Sequence, residues 1–146
     1  MKSEKSKRTA LSNFIMKLCS MERFIEIKRQ FLCDKDDFEP YSAFTRITRC
    51  QQTEITSENI QKYLEESFRE TGTDSCSRFI QHYSPKFSTT MGYKEFLDLV
   101  LPKEHPELRA FITQRDCIEL GQEEYFSYET EVALADLIEL ECNLFT

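Results

Sequence analysis

The chain has 146 residues and a formal net charge of −7 at pH 7, with 40% hydrophobic, 12% aromatic and 31% charged residues. Twelve Phe and six Tyr can supply a core, and only three Gly and four Pro interrupt helices, so we expect a mostly helical protein. The acidic balance argues against nucleic acid as a partner, and no apolar run is long enough to cross a membrane.

No catalytic or metal-binding motif stands out in the sequence. The six cysteines are irregularly spaced and form no CxxC pair, so we expect reduced thiols in the core or on the surface. His82 and His105 share no ligand spacing with any cysteine, and there is no Gly-rich phosphate loop. We therefore predict a soluble, cytoplasmic, non-enzymatic protein with no catalytic residues and no cofactor.

The first segment, residues 1–35, is basic. Residues 1–32 contain eight Lys or Arg and three Glu, and the first eight residues are polar enough to predict disorder. This segment either completes the core of the protein or docks on an acidic partner. The helix that it predicts is amphipathic, because six apolar residues follow helical spacing: Leu11, Phe14, Ile15, Leu18, Met21 and Ile25.

The middle segment, residues 36–101, contains two stretches with the same apolar spacing, Thr48–Asn59 and Ser84–Glu95, which begin 36 residues apart. Each has apolar residues one and four positions before it, at its eighth position, and one, four and five positions after it. In the first stretch these are Phe44, Ile47, Ile55, Ile60, Tyr63 and Leu64, and in the second they are Ile80, Tyr83, Met91, Phe96, Leu99 and Val100.

These stretches resemble the loops of a known family. ITRCQQTEITSENI, residues 47–60, and MGYKEFLDLVL, residues 91–101, are similar to EF-hand loops and their exit helices in the calmodulin and centrin superfamily, in particular a divergent protist group. The resemblance covers about residues 37–101. It implies an all-α fold: an EF-hand pair of two helix–loop–helix units with a short β pairing of the loops, plus N- and C-terminal helical extensions.

Turn and capping signals set the helix boundaries that we expect in the rest of the chain. A helix starts near residues 36–40 and enters the first loop, and an exit helix follows over 57–68. The next helix runs from about residue 76 to 83, and the one after it ends at Leu101 because a proline follows. In the final segment, residues 102–146, we predict helices over 106–114 and 129–145.

The final segment is acidic, since residues 116–146 carry nine Asp or Glu and no Lys or Arg. The last helix has an apolar face that packs either against the basic first helix or against a partner: Ala133, Leu137, Leu140 and Leu144. Three aromatic residues before it either clamp the preceding loop onto the core or form an exposed contact patch: Tyr125, Phe126 and Tyr128.

The family's calcium ligands are mostly missing from this sequence. EF-hand loops use oxygen ligands at positions 1, 3 and 5, a bidentate Glu at position 12, and Gly at position 6. The corresponding residues are Thr48, Cys50, Gln52, Asn59 and Thr53 in the first loop, and Ser84, Lys86, Ser88, Glu95 and Thr89 in the second. Lys86 places a positive charge where an oxygen belongs. We predict no metal site; if calcium does bind, its ligands would be Ser84, Ser88 and Glu95.

Without calcium ligands, the resemblance implies a calcium-independent structural adaptor that grips an amphipathic helix from its own chain or from a partner. It also implies a cytoskeletal place in the cilium or axoneme, with tubulin or axonemal proteins of doublet microtubules as partners and no membrane. A weak calcium sensor that uses the non-standard second loop is the alternative. Six residues would line the groove for the helix, unless they are simply core: Phe44, Ile60, Leu64, Ile80, Phe96 and Val100.

Overall fold

The computed structural model describes residues 4–85, 88–121 and 123–144 of the chain. The mostly helical fold that the sequence predicts is confirmed, together with one small antiparallel sheet. The elements in chain order are α1 (Glu4–Cys33), α2 (Pro40–Thr48), β1 (Ile55–Thr56), α3 (Ser57–Glu66), α4 (Thr73–Tyr83), β2 (Thr90–Met91), α5 (Tyr93–Val100), α6 (Pro106–Thr113) and α7 (Tyr128–Asn143).

Local capping chemistry fixes where the first helices of the middle segment begin. The Glu39 carboxylate accepts hydrogen bonds from the backbone amides of Tyr41 and Ser42, each at 2.8 Å, so α2 starts with its free N–H groups satisfied. At the start of α3, Thr56 and Asn59 form a reciprocal capping box. The starts of α2 and α3 are therefore set by their own sequence as well as by packing, whereas α4 and α5 begin after Gly72 and Gly92 without a side-chain cap.

Four boundaries differ from the sequence prediction by two residues or more. The disorder predicted for the first eight residues is wrong from Glu4 onward, because α1 begins there. The α4 helix begins at Thr73, three residues early, with Gly72 as its N-cap. The α3 helix ends two residues early because Phe68 adopts a left-handed φ of 61° and its amide bonds to the Glu65 carbonyl, which closes a Schellman turn. The last helix, predicted to reach residue 145, ends at Asn143, and position 145 itself lies outside the described residues.

The two-stranded sheet joins two helix–loop–helix units, α2–β1–α3 and α4–β2–α5. Its strands are antiparallel, and Ile55 pairs with Met91 while Thr56 pairs with Thr90. Ile55 and Met91 are fully buried and occupy the eighth positions of the two stretches recognised in the sequence. The pairing predicted for the two loops is therefore present at the expected residues.

The two halves of α1 have different surroundings. In the second half, Ile25, Leu32 and Cys33 are buried in the core. In the first half, Leu11 is 59% exposed and Ile15 is 50% exposed, so the predicted apolar stripe completes the core only near its C-terminal end. Two members of that stripe, at positions 14 and 18, have side chains outside the described part of the chain. The first half of α1 thus projects beyond the body of the protein.

The last helix, α7, packs against α1, α3 and α4. Its buried apolar side chains belong to the same core cluster as those of the helix–loop–helix pair. Basic α1 and acidic α7 also meet through charged groups: Lys28 Nζ lies 3.9 Å from Asp136 Oδ2, and Arg29 Nη2 lies 3.7 Å from Glu141 Oε1. Of the two alternatives for this helix, packing against the first helix is the one observed.

The segment before α7 lies along α2. The Ile118 amide donates to Ser42 Oγ at 2.9 Å, and the Leu120 amide donates to Thr45 Oγ1 at 3.0 Å. The aromatic residues of this segment do not all behave alike. Phe126 packs on the core, as expected for a clamp, while Tyr128 is exposed, as expected for a contact patch. None of the helices in the described part of the chain combines the length and apolar character that a membrane crossing requires.

Candidate functional site

The six groove residues predicted from the sequence come together, but inside the protein. Phe44 is almost completely buried, and the Phe44 and Phe96 rings lie 5.7 Å apart, nearly perpendicular. The other residues are fully buried in the same cluster: Ile60, Leu64, Ile80 and Val100. Since α7 covers α3 and α4, and α1 covers α5, the pair is closed by helices of its own chain. A partner helix cannot reach these side chains in this conformation.

In the first loop, the groups at the calcium-ligand positions bond to the protein itself. Thr48 is buried, and its hydroxyl donates to the Phe44 carbonyl at 3.0 Å. The Cys50 thiol donates to the Leu120 carbonyl, 3.1 Å away on the segment before α7. At position 12, the Asn59 side chain accepts from the Thr56 amide at 2.8 Å as part of the capping box. These contacts leave few oxygens directed toward a central ion.

The second loop is similar in its described part, from which Lys86 is missing. The Ser84 hydroxyl donates to the Thr90 carbonyl at 2.6 Å, which ties position 1 of the loop to strand β2. Ser88 Oγ accepts from the Thr90 amide at 3.3 Å. Glu95 is the third residue of α5, and its Oε2 would lie only 2.8 Å from a Cβ placed on Gly92. The carboxylate therefore folds back over the start of its own helix.

The loop backbone also departs from the form that calcium requires. Among the described residues, non-glycine positive φ angles occur at Arg49, Cys50 and Phe68, whereas an EF-hand loop needs its special conformation at position 6, here Thr53 and Thr89. Within the same residues, no group of three or more His, Cys, Asp or Glu is arranged to hold a metal ion. The residues present in these loops do not fit calcium.

A buried polar cluster under α1 was not predicted from the sequence. Arg29 is buried, and its Nε donates to the Leu99 carbonyl at 2.8 Å. The same guanidinium donates to Tyr83 Oη at 3.3 Å and lies 3.5 Å from the Glu26 carboxylate. Arg29 thus connects α1 to α4 and α5 through directed polar contacts. Its helical neighbours show only an alternation of charge, so the sequence contains no signal for these partners.

Glu141 on α7 completes this cluster. This residue is only 3% exposed, its Oε1 accepts a short hydrogen bond from Tyr83 Oη, and its Oε2 has no partner. Burial raises the pKa of Glu141 to about 7, and the Tyr83 hydrogen bond and the Arg29 charge offset only part of that effect. Burial likewise raises the pKa of Tyr83 far above its usual range.

The pKa of Glu26, on the other side of Arg29, shifts in the opposite direction. Burial alone would raise its pKa, but hydrogen bonds from Gln30 and from the backbone amides of Lys103 and Glu104 lower it below the usual range. Glu26 therefore stays ionised beside Arg29. These contacts fasten the second half of α1 to the turn that follows α5.

A second polar cluster joins α2, α3 and α7 around Arg46. Its Nε lies 2.9 Å from Glu131 Oε1, and its guanidinium lies over the rings of Tyr63, at 5.0 Å, and Tyr125, at 4.7 Å. The Tyr63 hydroxyl also donates to Glu131 at 3.2 Å. Tyr125 is partly exposed but covers this arginine, so it belongs to the clamp predicted for the segment before α7.

A cavity of about 790 Å³ opens where the first half of α1 leaves the body. Its lining mixes apolar, acidic and basic side chains, so it does not select one ligand chemistry. Representative lining residues are Met21, Glu26, Arg29, His82, Lys103 and Leu144.

The accessible apolar surface of the protein is concentrated on α1. Among the described residues, more than half of the large hydrophobic side chains that are exposed belong to this helix: Leu11, Ile15, Met16, Phe24, Ile27 and Phe31. Only the first two belong to the stripe read from the sequence. The others lie on a second face, which sequence periodicity alone could have indicated.

Comparison of the chain with protein-family models, with curated proteins and with solved structures finds no match.

Proposed function

We propose that this protein is a non-catalytic adaptor built on an EF-hand pair whose conformation does not depend on calcium. The observation that carries the proposal is that the ligand-position groups of both loops, such as the Thr48 and Ser84 hydroxyls, bond to the chain itself. The pairing of Ile55 with Met91 at the eighth loop positions supports the EF-hand assignment. Such a domain has no calcium-driven opening with which to expose its groove.

The adaptor meets its protein partner through α1 and not through the groove. Burial of the groove residues supports this, because the chain's own α7 already covers α3 and α4. The exposed apolar side chains of α1 supply a surface larger than scattered hydrophobic residues would. A cytoskeletal assembly, with tubulin or axonemal proteins as partners, is the setting that the family resemblance favours, and that part rests on analogy alone.

A calcium titration tests the proposal. We would titrate the reduced protein with calcium in a calorimeter, follow its helicity by circular dichroism, and use magnesium as the control. The expected result is no heat of binding and no change in helicity up to millimolar calcium, because the loop groups are already bonded. Saturable binding with a change in helicity would overturn the proposal in favour of a weak sensor. The variant Glu95→Gln would then show whether the second loop holds the ion.

A further inference from the structure

Three exposed phenylalanines each carry a cation from the residue four positions later. Lys28 Nζ lies 5.8 Å from the ring centre of Phe24, and Lys35 Nζ lies 3.9 Å from that of Phe31. The Arg115 guanidinium lies 5.2 Å from the ring centre of Phe111. Each ring remains more than half exposed, so the cation covers only part of it. The repeated pairing produces an apolar surface with a basic edge.

Two of these pairs lie along one face of α1, and the third lies near the C-terminal end of that helix. Phe24, Ile27 and Phe31 recur at the spacing of a single helix face, opposite the face that buries Ile25 and Leu32. Met16 extends that outer face, so it runs for about 22 Å along α1. Phe111 lies at the same end of α1 as Phe31, because Arg115 donates to the Lys35 carbonyl at 2.6 Å. We call these residues the aromatic–basic face: Met16, Phe24, Ile27, Lys28, Phe31, Lys35, Phe111 and Arg115.

We propose that the aromatic–basic face docks an amphipathic helix of another protein whose apolar stripe is edged by Asp or Glu. This inference rests on the proposed adaptor function and specifies its partner. A straight ridge of large side chains on one helix suits the packing of a second helix along it. Carboxylates on the incoming helix complement the cations at the edge, of which Lys28 also lies 3.9 Å from Asp136 of its own chain.

The charge pattern favours this occupant over two others. A second copy would bring the same three cations and no carboxylate on this face, so pairing two copies leaves the cations without complementary charge. An anionic membrane would attract the three cations of this face. The same membrane would repel the rest of the chain, whose net charge is −7. An acidic helix engages the cations without approaching most of the acidic body.

The test uses two synthetic amphipathic peptides of equal length with the same leucine stripe, edged by glutamate in one and by lysine in the other. Binding to the full chain is measured by fluorescence anisotropy in EDTA, at low and raised salt. We expect the glutamate peptide to bind at least about tenfold more tightly than the lysine peptide, with a preference that shrinks as salt increases.

Variants locate the binding on the face. Phe24→Ser with Phe31→Ser should weaken binding of the glutamate peptide by at least about tenfold, since both side chains are central aromatic anchors. Phe68→Ser, which alters an exposed ring after α3, is the matched control and should leave affinity unchanged. Lys35→Glu should abolish the difference in affinity between the two peptides, whereas Lys62→Glu, at an exposed position of α3, should leave that difference unchanged. Circular dichroism verifies that each variant is folded.

The outcomes separate this inference from the proposed function. Equal affinity for both peptides in EDTA, while the calcium titration stays flat, overturns the docking proposal alone. Binding that needs calcium overturns the calcium-independent adaptor. Two further results also overturn the docking proposal: binding to phosphatidylserine–phosphatidylcholine vesicles in place of the peptides, and a dimer in sedimentation that Phe24→Ser with Phe31→Ser dissociates.

Discussion

Replacing Glu141 by glutamine should change how the stability of the protein depends on pH. The Glu141 carboxyl is buried, with its pKa raised from 4.5 to about 7, while in the unfolded chain it titrates at its ordinary value. Between those pH values the folded state holds a proton that the unfolded state releases. The contribution of Glu141 to stability is therefore fully present below about pH 4.5 and is lost as the pH rises through about 7.

The size of the effect follows from the two pKa values. A difference between 4.5 and about 7 corresponds to about 3 kcal/mol of unfolding free energy. Glutamine keeps an acceptor for the Tyr83 hydroxyl and cannot ionise, so the variant escapes this loss. Relative to the wild type, Glu141→Gln should therefore gain about 3 kcal/mol of unfolding free energy between about pH 5 and about pH 8.

Urea denaturation followed by circular dichroism, at several pH values and constant ionic strength, measures this difference directly. Glu129→Gln makes the same change at an exposed position of α7 and should run parallel to the wild type. Glu26 and Asp37, whose pKa values are lowered, lose their contributions only as the pH falls below their ordinary values, outside this range. If the unfolding free energies of the wild type and Glu141→Gln changed with pH in the same way, the reasoning would be refuted.

Three further predictions concern other contacts. Phe68→Gly should raise the free energy of unfolding in urea by about 1 kcal/mol, because glycine accepts the left-handed φ that ends α3; an unchanged value would contradict this. Arg46→Met should lower it by about 3 kcal/mol by leaving Glu131 without its cation, and a variant as stable as the wild type would show that the pair is not stabilising. A thiol reagent should label three exposed cysteines quickly and three buried ones only on unfolding; rapid labelling of all six would contradict the closed core. The exposed ones are Cys19, Cys50 and Cys117, and the buried ones are Cys33, Cys76 and Cys142.

The periodic part of the fold could be predicted because it depends on local spacing. Of the twelve framework positions in the two stretches, eleven are buried, and the pairing of Ile55 with Met91 follows from their equal place in each loop. Tyr83 is the exception. It is only partly buried, and its hydroxyl reaches Arg29 and Glu141. Apolar spacing indicates that a side chain faces inward, but not that its polar end has a partner.

The polar clusters could not be predicted from the sequence, nor could the part of α1 that stays uncovered, for a physical reason. Arg29 and Glu141 are far apart in the chain, and their contact depends on how α1 and α7 cross in three dimensions. Leu11 and Ile15 have the same spacing as Ile25, yet they are exposed because α1 extends past the body at that end. A helical pattern gives the direction in which a side chain points, and the extent of the neighbouring elements decides whether anything covers it.

The packing of α7 onto α1, α3 and α4 has a consequence for how the protein folds. Contacts between elements this distant in sequence form slowly, because a long loop must be closed before they contribute. During synthesis, α3 and α4 emerge well before α7, so their apolar faces are uncovered until residues 128–143 have left the ribosome. In that interval any amphipathic helix in the vicinity competes with α7 for the same surface. Until α7 has been synthesised, α3 and α4 can therefore bind another helix, and once α7 packs on them they cannot.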